Sequence, residues 1–200
     1  MNSTNGIITV FAGSASRPFA QKMCDYLGVE LGKSTTHIFS EGGIYVRADE
    51  SIRNKDVYIV QSIGKDPNNA FTELIFWIDA FKRASANSIT AIIPYFGYAK
   101  ADKKDEPRVS IRARVCADCI EMCGADRVVT MDLHAAQVQG FFSKPVDHLY
   151  ASALLCEYAR HLGIVNENLV VVSPDAGSAK RARAYANILG CNVAIGDKVR

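Results

Sequence analysis

No run of about 18 uninterrupted apolar residues occurs in these 200 residues, which excludes a membrane-spanning helix. A secretion leader is also lacking: the apolar stretch 7–12 has no basic segment before it and no small-residue cleavage site after a long apolar core, so it reads as a first strand. Net charge is small, 23 Lys and Arg against 21 Asp and Glu, too little for a general nucleic-acid binder. Repeats and low-complexity tracts are absent, and 48% hydrophobic with 22% charged residues describes a globular chain rather than a disordered or fibrous one. Without a leader, the six cysteines are expected as reduced thiols in a cytoplasmic setting. Cys116, Cys119 and Cys123 have a C-x2-C-x3-C spacing that invites a metal. However, a fourth ligand is missing nearby, and the same spacing places all three on one helix face, where free cysteines bury as small apolar residues.

What is present is alternation. Apolar, β-branched runs at 7–12, 36–39, 44–47, 57–62, 89–94, 127–131, 169–173 and 192–195 predict strands. Between them, apolar residues recurring every three or four positions predict helices at about 17–28, 69–84, 111–123, 151–162 and 177–188. Continuous Val/Ile runs separated by helices imply an α/β fold, a doubly wound parallel sheet covered on both faces. In the second helix Phe71, Leu74, Ile75, Ile78 and Phe81 form the core stripe, Asn68 is the expected N-cap, and Trp77 falls off the stripe, at an interface or partly exposed. The pattern breaks at SKPVDHLY, placing a boundary near 144–150: a first domain over 1–149 and an incomplete second over 150–200, roughly half of a minimal domain.

Three segments follow carboxyl ends of strands, where open α/β sheets bind ligands. The first holds the charge asymmetry. From Tyr98 to Arg114 six cations accompany three acids, giving +3 against −1 for the rest of the chain. Such a stretch can be a solvated loop, but its length and position favour a mobile basic loop for a polyanion such as a nucleoside triphosphate. The second contains Asp132-Leu133-His134. Strand alternation would send Asp132 and His134 to one side, able to hold hydrated Mg2+ or to contact phosphate, although His134 could merely cap the next helix. Gln137, Gln139 and Gly140 continue a polar turn before Phe141 and Phe142, which are expected to pack. The third runs from Ser173 to Arg181. Pro174 and Gly177 shape a tight turn, and the helix start with Lys180 and Arg181 favours an anion. Asp175 there either joins a divalent cation to the ligand or caps the helix.

In this order, YAKADKKDEPRVSIRAR, GADRVVTMDLHAAQVQGFFSKPVDHLYA, NLVVVSPDAGSAKRARAYA and DKVR resemble the ribose-phosphate diphosphokinase (phosphoribosyl pyrophosphate synthetase) family over essentially the whole chain. TMDLHAAQVQGFF with PVDHLYA is the most specific part. The resemblance implies phosphoribosyltransferase-like domains and a step of nucleotide biosynthesis: transfer of the diphosphoryl group of ATP to the C1 hydroxyl of ribose 5-phosphate, giving phosphoribosyl pyrophosphate and AMP. Mg2+ is the implied cofactor, as suits a reaction driven by positioning and charge neutralisation. The resemblance assigns ATP binding to Phe39, Glu41, Lys100, Ala101, Asp105 and His134, metal binding to Asp132, His134 and Asp175, and substrate binding to Asp175. Catalytic roles fall on His134, Lys198 and Arg200, the last two as the K-x-R of a loop that closes over the transferring group. Ser51 and Arg53 fall where phosphate or a nucleoside diphosphate acts as allosteric effector. The implied assembly is a homo-oligomer, a dimer-based hexamer in the family, in which Phe39 flanks adenine in a loop lent by the neighbouring subunit. Neither nucleic acid nor membrane is an expected partner.

The sequence departs from the family pattern at named places. F-S-(D/N)-x-E is Phe39-Ser40-Glu41-Gly42-Gly43, and glycine cannot accept from the adenine amino group as a carboxylate does. Y-A-R-Q-D is Tyr98-Ala99-Lys100-Ala101-Asp102, which exchanges a planar bidentate guanidinium for a point charge. The acid-rich T-G-G-T loop that binds the 5-phosphate does not occur in the 200 residues, so this chain alone is expected to be inactive. Retained His134, Asp175, Lys198 and Arg200 favour a piece or shortened form of the enzyme. The departures favour an alternative, a non-catalytic regulatory or associated subunit. A nucleic-acid binder using the basic loop fares poorly because one acid accompanies every two cations there.

Overall fold

The computed structural model of the chain describes residues 8–197, which divide into two compact units between Leu149 and Tyr150. The first unit runs β1 (Ile8–Ala12), α1 (Arg17–Leu27), β2 (Ser34–Ile38), β3 (Ile44–Ala48), β4 (Asp56–Val60), α2 (Pro67–Arg83), β5 (Ser88–Ile93), α3 (Arg112–Cys123), β6 (Arg127–Met131) and β7 (Val146–Leu149). Five strands pair in the order β1-β4-β5-β6-β7, all parallel, while β2 and β3 form a separate antiparallel hairpin.

Side chains alternate across a strand, so β1 shows which helix covers which face. Val10 and Ala12 pack with Ala20 and Cys24 of α1, whereas Phe11 packs with Leu74, Trp77 and Phe81 of α2. Helices therefore cover both faces, the doubly wound α/β arrangement expected from the Val/Ile runs. A parallel sheet also gathers the turns after β1, β4, β5 and β6 along one edge.

Three local expectations are corrected. The N-cap of α2 is Asp66, whose side chain accepts from Asn69 N–H (3.5 Å), with Pro67 pre-set for the first helical position. Asn68 lies inside the first turn, where its Oδ1 accepts from the Tyr98 hydroxyl. Trp77 is fully buried rather than at an edge: its ring stacks 6.1 Å from Phe11 and lies 5.3 Å from Phe81. The reason is that α2 is covered by β3 as well as by the sheet, so its buried face is wider than one stripe. Finally, the stretch read as an interruption contains β7, whose Val146–Leu149 pairs with Val128–Met131.

The second unit has α4 (Ser152–His161), β8 (Val170–Ser173), α5 (Ala179–Leu189) and β9 (Asn192–Ile195), with β8 and β9 parallel. Among its described residues Cys156, Ala182 and Ala186 are the buried apolar side chains.

Candidate functional site

Because β5 and β6 are adjacent and parallel, the segments that follow them leave the same sheet edge side by side, and Phe96 of one lies 6.5 Å from Phe142 of the other. After β5, Gly97 turns so close under Ile63 that a Cβ would come within 2.4 Å of its carbonyl oxygen. Ala99 and Ala101 are buried, which fixes the segment to the core and turns Lys100 outward. Lys100 Nζ lies 6.0 Å from the Tyr95 ring centroid, a cation–π distance. Lys103, Lys104, Asp105, Glu106 and Arg108 are exposed. Among the described residues only Arg114 of the six cations forms an ion pair, with Asp118 (2.8 Å), one helical turn away. Asp102, Asp105 and Glu106 share the segment, so its six cations leave a net charge of +3 that favours an anion.

After β6 the chain does not continue as a strand. Asp132 adopts a left-handed conformation (φ 44°), Leu133 is buried, and Asp132 and His134 are both exposed. Both side chains do emerge at the surface, but through this turn; the alternation argued from sequence stops at Met131. The Leu149 carbonyl accepts from Asp132 N–H (2.9 Å), and His148 Nε2 accepts from Leu133 N–H (2.9 Å). Burial pushes the His148 imidazole below its ordinary value, against the opposing pull of Asp132. Phe141 and Phe142 pack against the core, as expected.

The remaining expected positions lie elsewhere. Phe39 and Glu41 sit at the exposed tip of the β2–β3 hairpin, closed by Phe39 N–H to Gly43 O (2.8 Å), with Phe39 edge-on to His37 at 4.9 Å. Ser51 and Arg53 are exposed beside a cavity of about 330 Å³, which they line with Arg47, Glu50, Ala80 and Ala84. In the second unit Asp175 caps the short turn before α5, accepting from Ser178 N–H (2.8 Å), while Lys180 and Arg181 are exposed. Lys198 and Arg200 lie outside the described residues. The three cysteines share α3: Cys116 is buried and its thiol pushed up to about 12 by desolvation, so it stays a thiol at neutral pH. Among the described residues no cluster of three or more His, Cys, Asp or Glu side chains is placed to hold a metal ion.

Sequence reasoning missed one polar assembly below this edge. Glu73 of α2 is buried and accepts from Ser14 N–H (2.9 Å) and the Ser14 hydroxyl, Gln61 Nε2 (3.0 Å), Trp77 Nε1 (3.3 Å) and Thr36 Oγ1 (3.4 Å). Gln61, fully buried, also accepts from Ala15 N–H (3.1 Å) and donates to Ala70 O (3.3 Å). These bonds fix the turn after β1. The signal was available: Glu73 lies three residues after Ala70 and four before Trp77, a carboxylate inside an apolar stripe.

Comparison with known proteins agrees over the whole chain. A family profile described as the N-terminal domain of ribose phosphate pyrophosphokinase matches residues 8–124. The chain is 50% identical over 200 residues to the ribose-phosphate pyrophosphokinase of Porphyromonas gingivalis and 48% identical over 200 to that of Deinococcus radiodurans. It covers 63% and 62% of their lengths, respectively. The crystal structure of phosphoribosylpyrophosphate synthetase from Mycobacterium smegmatis superposes with a TM-score of 0.90 at 42% identity, covering 96% of this chain and 65% of that one.

Proposed function

Since the chain belongs to the ribose-phosphate pyrophosphokinase family, we propose that it supplies the ATP side of a site that transfers the diphosphoryl group of ATP to the C1 hydroxyl of ribose 5-phosphate. The observation that carries this reading is the adjacency of two segments on one sheet edge. One brings cations of which, among the described residues, only Arg114 is ion-paired, and the other presents Asp132 and His134 around a buried Leu133. Polyphosphate needs charge neutralisation and fixed direction more than a protein nucleophile. Lys100, Lys103 and Lys104 offer the first, and Asp132 and His134 offer the second.

Mg2+ suits this donor set. It is bound through one or two carboxylates together with substrate phosphates and water, so a three-ligand protein cluster is not required. In the first unit Asp132 with His134 would hold it, and when bound it would neutralise charge on the phosphates; Asp175, in the second unit, is assigned by itself to metal and substrate binding. Lys198 and Arg200 are assigned to closure over the transferring group. Ser51 and Arg53 are assigned to an effector phosphate, the assembly to a homo-oligomer in which Phe39 and Glu41 serve a neighbour's adenine, and the compartment to the cytoplasm.

Two features favour a second reading, a regulatory subunit that does no chemistry. Ala101 is buried with no polar group to offer, and Gly43 brings no carboxylate to the hairpin tip. Steady-state assay of AMP release from Mg2+·ATP and ribose 5-phosphate, with ATP binding followed in parallel, separates the possibilities. The 200-residue chain is expected to bind Mg2+·ATP without releasing AMP. In a chain extended to the length of the relatives, His134→Ala and Lys198→Ala should each depress kcat strongly. Robust turnover by the 200-residue chain contradicts its assignment as inactive alone, and an extended chain that turns over equally well without His134 contradicts the site.

A further inference from the structure

Strand β7 holds two consecutive amides of the turn after β6, by different means. Leu149 O accepts from Asp132 N–H in simple continuation of the ladder, because Met131 pairs with Leu149. The next amide has left the ladder. Alternation along a strand would aim Leu133 N–H away from β7, but Asp132 at φ 44° takes the chain off the strand path and Leu133 N–H donates instead to His148 Nε2 of β7 at 2.9 Å. We propose that His148 is a positioning residue, which sets the direction of Asp132 and His134 by accepting from Leu133 N–H.

The geometry fixes the role of Nε2. A backbone N–H can only donate, so Nε2 must present its lone pair and the proton of the neutral ring resides on Nδ1. On the other side of the ring, Nδ1 lies 3.4 Å from Gln139 Nε2; because that amide nitrogen donates to Ala136 O (2.9 Å) and Nδ1 carries the ring proton, the two are in packing contact and not hydrogen-bonded. The imidazole, on β7, therefore lies against the 132–141 segment and meets it at Leu133 and Gln139. Leu133 is then fixed twice, by its buried side chain and by its amide, and the exposed residues on either side of it inherit that direction. Left-handed backbone is unfavourable for a residue with a Cβ and persists where the surroundings impose it. The proposal rests on the reading that Asp132 and His134 face Mg2+·ATP, and extends it to a residue in the edge strand behind them.

The test uses the 200-residue chain and two substitutions. His148→Leu keeps the bulk and removes the acceptor, while His148→Gln places a carbonyl oxygen at about the reach of Nε2. Amide exchange followed by NMR should accelerate at Leu133 about tenfold in His148→Leu, the loss of one hydrogen bond, with Val128 to Thr130 unaffected, and His148→Gln should restore it. Mg2+·ATP affinity, measured by titration, should fall about five- to tenfold in His148→Leu and recover in His148→Gln. Unchanged Leu133 exchange in His148→Leu overturns the proposal, as does exchange that speeds up with no loss of ATP affinity. If His148→Leu loses β6 protection as well, His148→Gln decides: a protected Leu133 amide supports the proposal and an exposed one overturns it. A wild-type chain that binds no Mg2+·ATP counts against the site reading itself, and Leu133 exchange then judges the positioning claim separately.

Discussion

Replacing Glu73 with Gln removes one oxygen from the middle of a buried network and inserts an amide of nearly the same size. Every group around the carboxylate is a donor to it: Ser14 N–H, the Ser14 hydroxyl, Thr36 Oγ1, Gln61 Nε2 and Trp77 Nε1. If the new NH2 takes the place of Oε1, it faces Ser14 N–H and Trp77 Nε1, neither of which can accept. If it takes the place of Oε2, the Ser14 hydroxyl can rotate to accept, but Gln61 Nε2 remains donor to donor at the former 3.0 Å contact. Turning the Gln61 amide over does not help, because its Oε1 already accepts from Ala15 N–H and its Nε2 donates to Ala70 O. The milder arrangement thus leaves at least one buried donor unsatisfied, which costs about 1–3 kcal/mol.

Taking about 2 kcal/mol, Glu73→Gln should lower Tm by roughly 6–8 °C for a unit of this size. Glu73→Ala strips the acceptor from three buried or backbone donors at once and should cost roughly 3–5 kcal/mol. Trp77 is the single tryptophan and is fully buried against Glu73, so its emission reports unfolding of this unit directly in a urea titration. A Glu73→Gln protein within 0.5 kcal/mol of wild type, roughly the ordinary scatter of surface substitutions, would refute the network as described.

Two further outcomes follow from neighbouring geometry. Gly13→Ala places a Cβ 2.4 Å from Gln61 Oε1 and 2.5 Å from its Cδ, and Gln61 is pinned at both ends of its amide, so the substitution should cost about 1–3 kcal/mol by urea denaturation; a neutral result shows that Gln61 moves freely. Asp56 is held below the usual carboxylate range by the Ser88 hydroxyl (2.6 Å) and Asn87 Nδ2 (2.8 Å), which stabilises the fold above the unfolded value of about 3.9 and is lost as pH falls through the folded value. Asp56→Asn should accordingly flatten the decline of the urea midpoint between neutral pH and about pH 3, and equal declines in the two proteins exclude Asp56 as a contributor.

How far the sequence could be read depended on whether a feature is local. Strand Arg127–Met131 has the bounds that its β-branched run predicts, because a buried parallel strand carries its signature within itself; Asn192–Ile195 matches its predicted bounds too, although its side chains are largely exposed. Strand β7 escaped because Val146-Asp147-His148-Leu149 is half polar, which an edge strand paired on one side tolerates. Trp77 was misplaced for the related reason that the width of a helix's buried face depends on how many elements cover it, and β3 is distant in sequence. At the candidate site, residue types such as Asp132, His134 and Lys100 could be picked out as candidates for metal or phosphate binding. The turn that directs Asp132 and His134 outward could not, since it depends on an acceptor in His148, 15 residues from Leu133. Glu73 makes the same point: only Trp77 is linked to it by helical period, while its partners at 14, 36 and 61 lie in three other elements or turns that no period connects to it. A period identifies which face of an element turns inward. It does not identify the polar groups that, once inside, must find one another across the chain, and in this protein those groups hold the edge from which the site residues project.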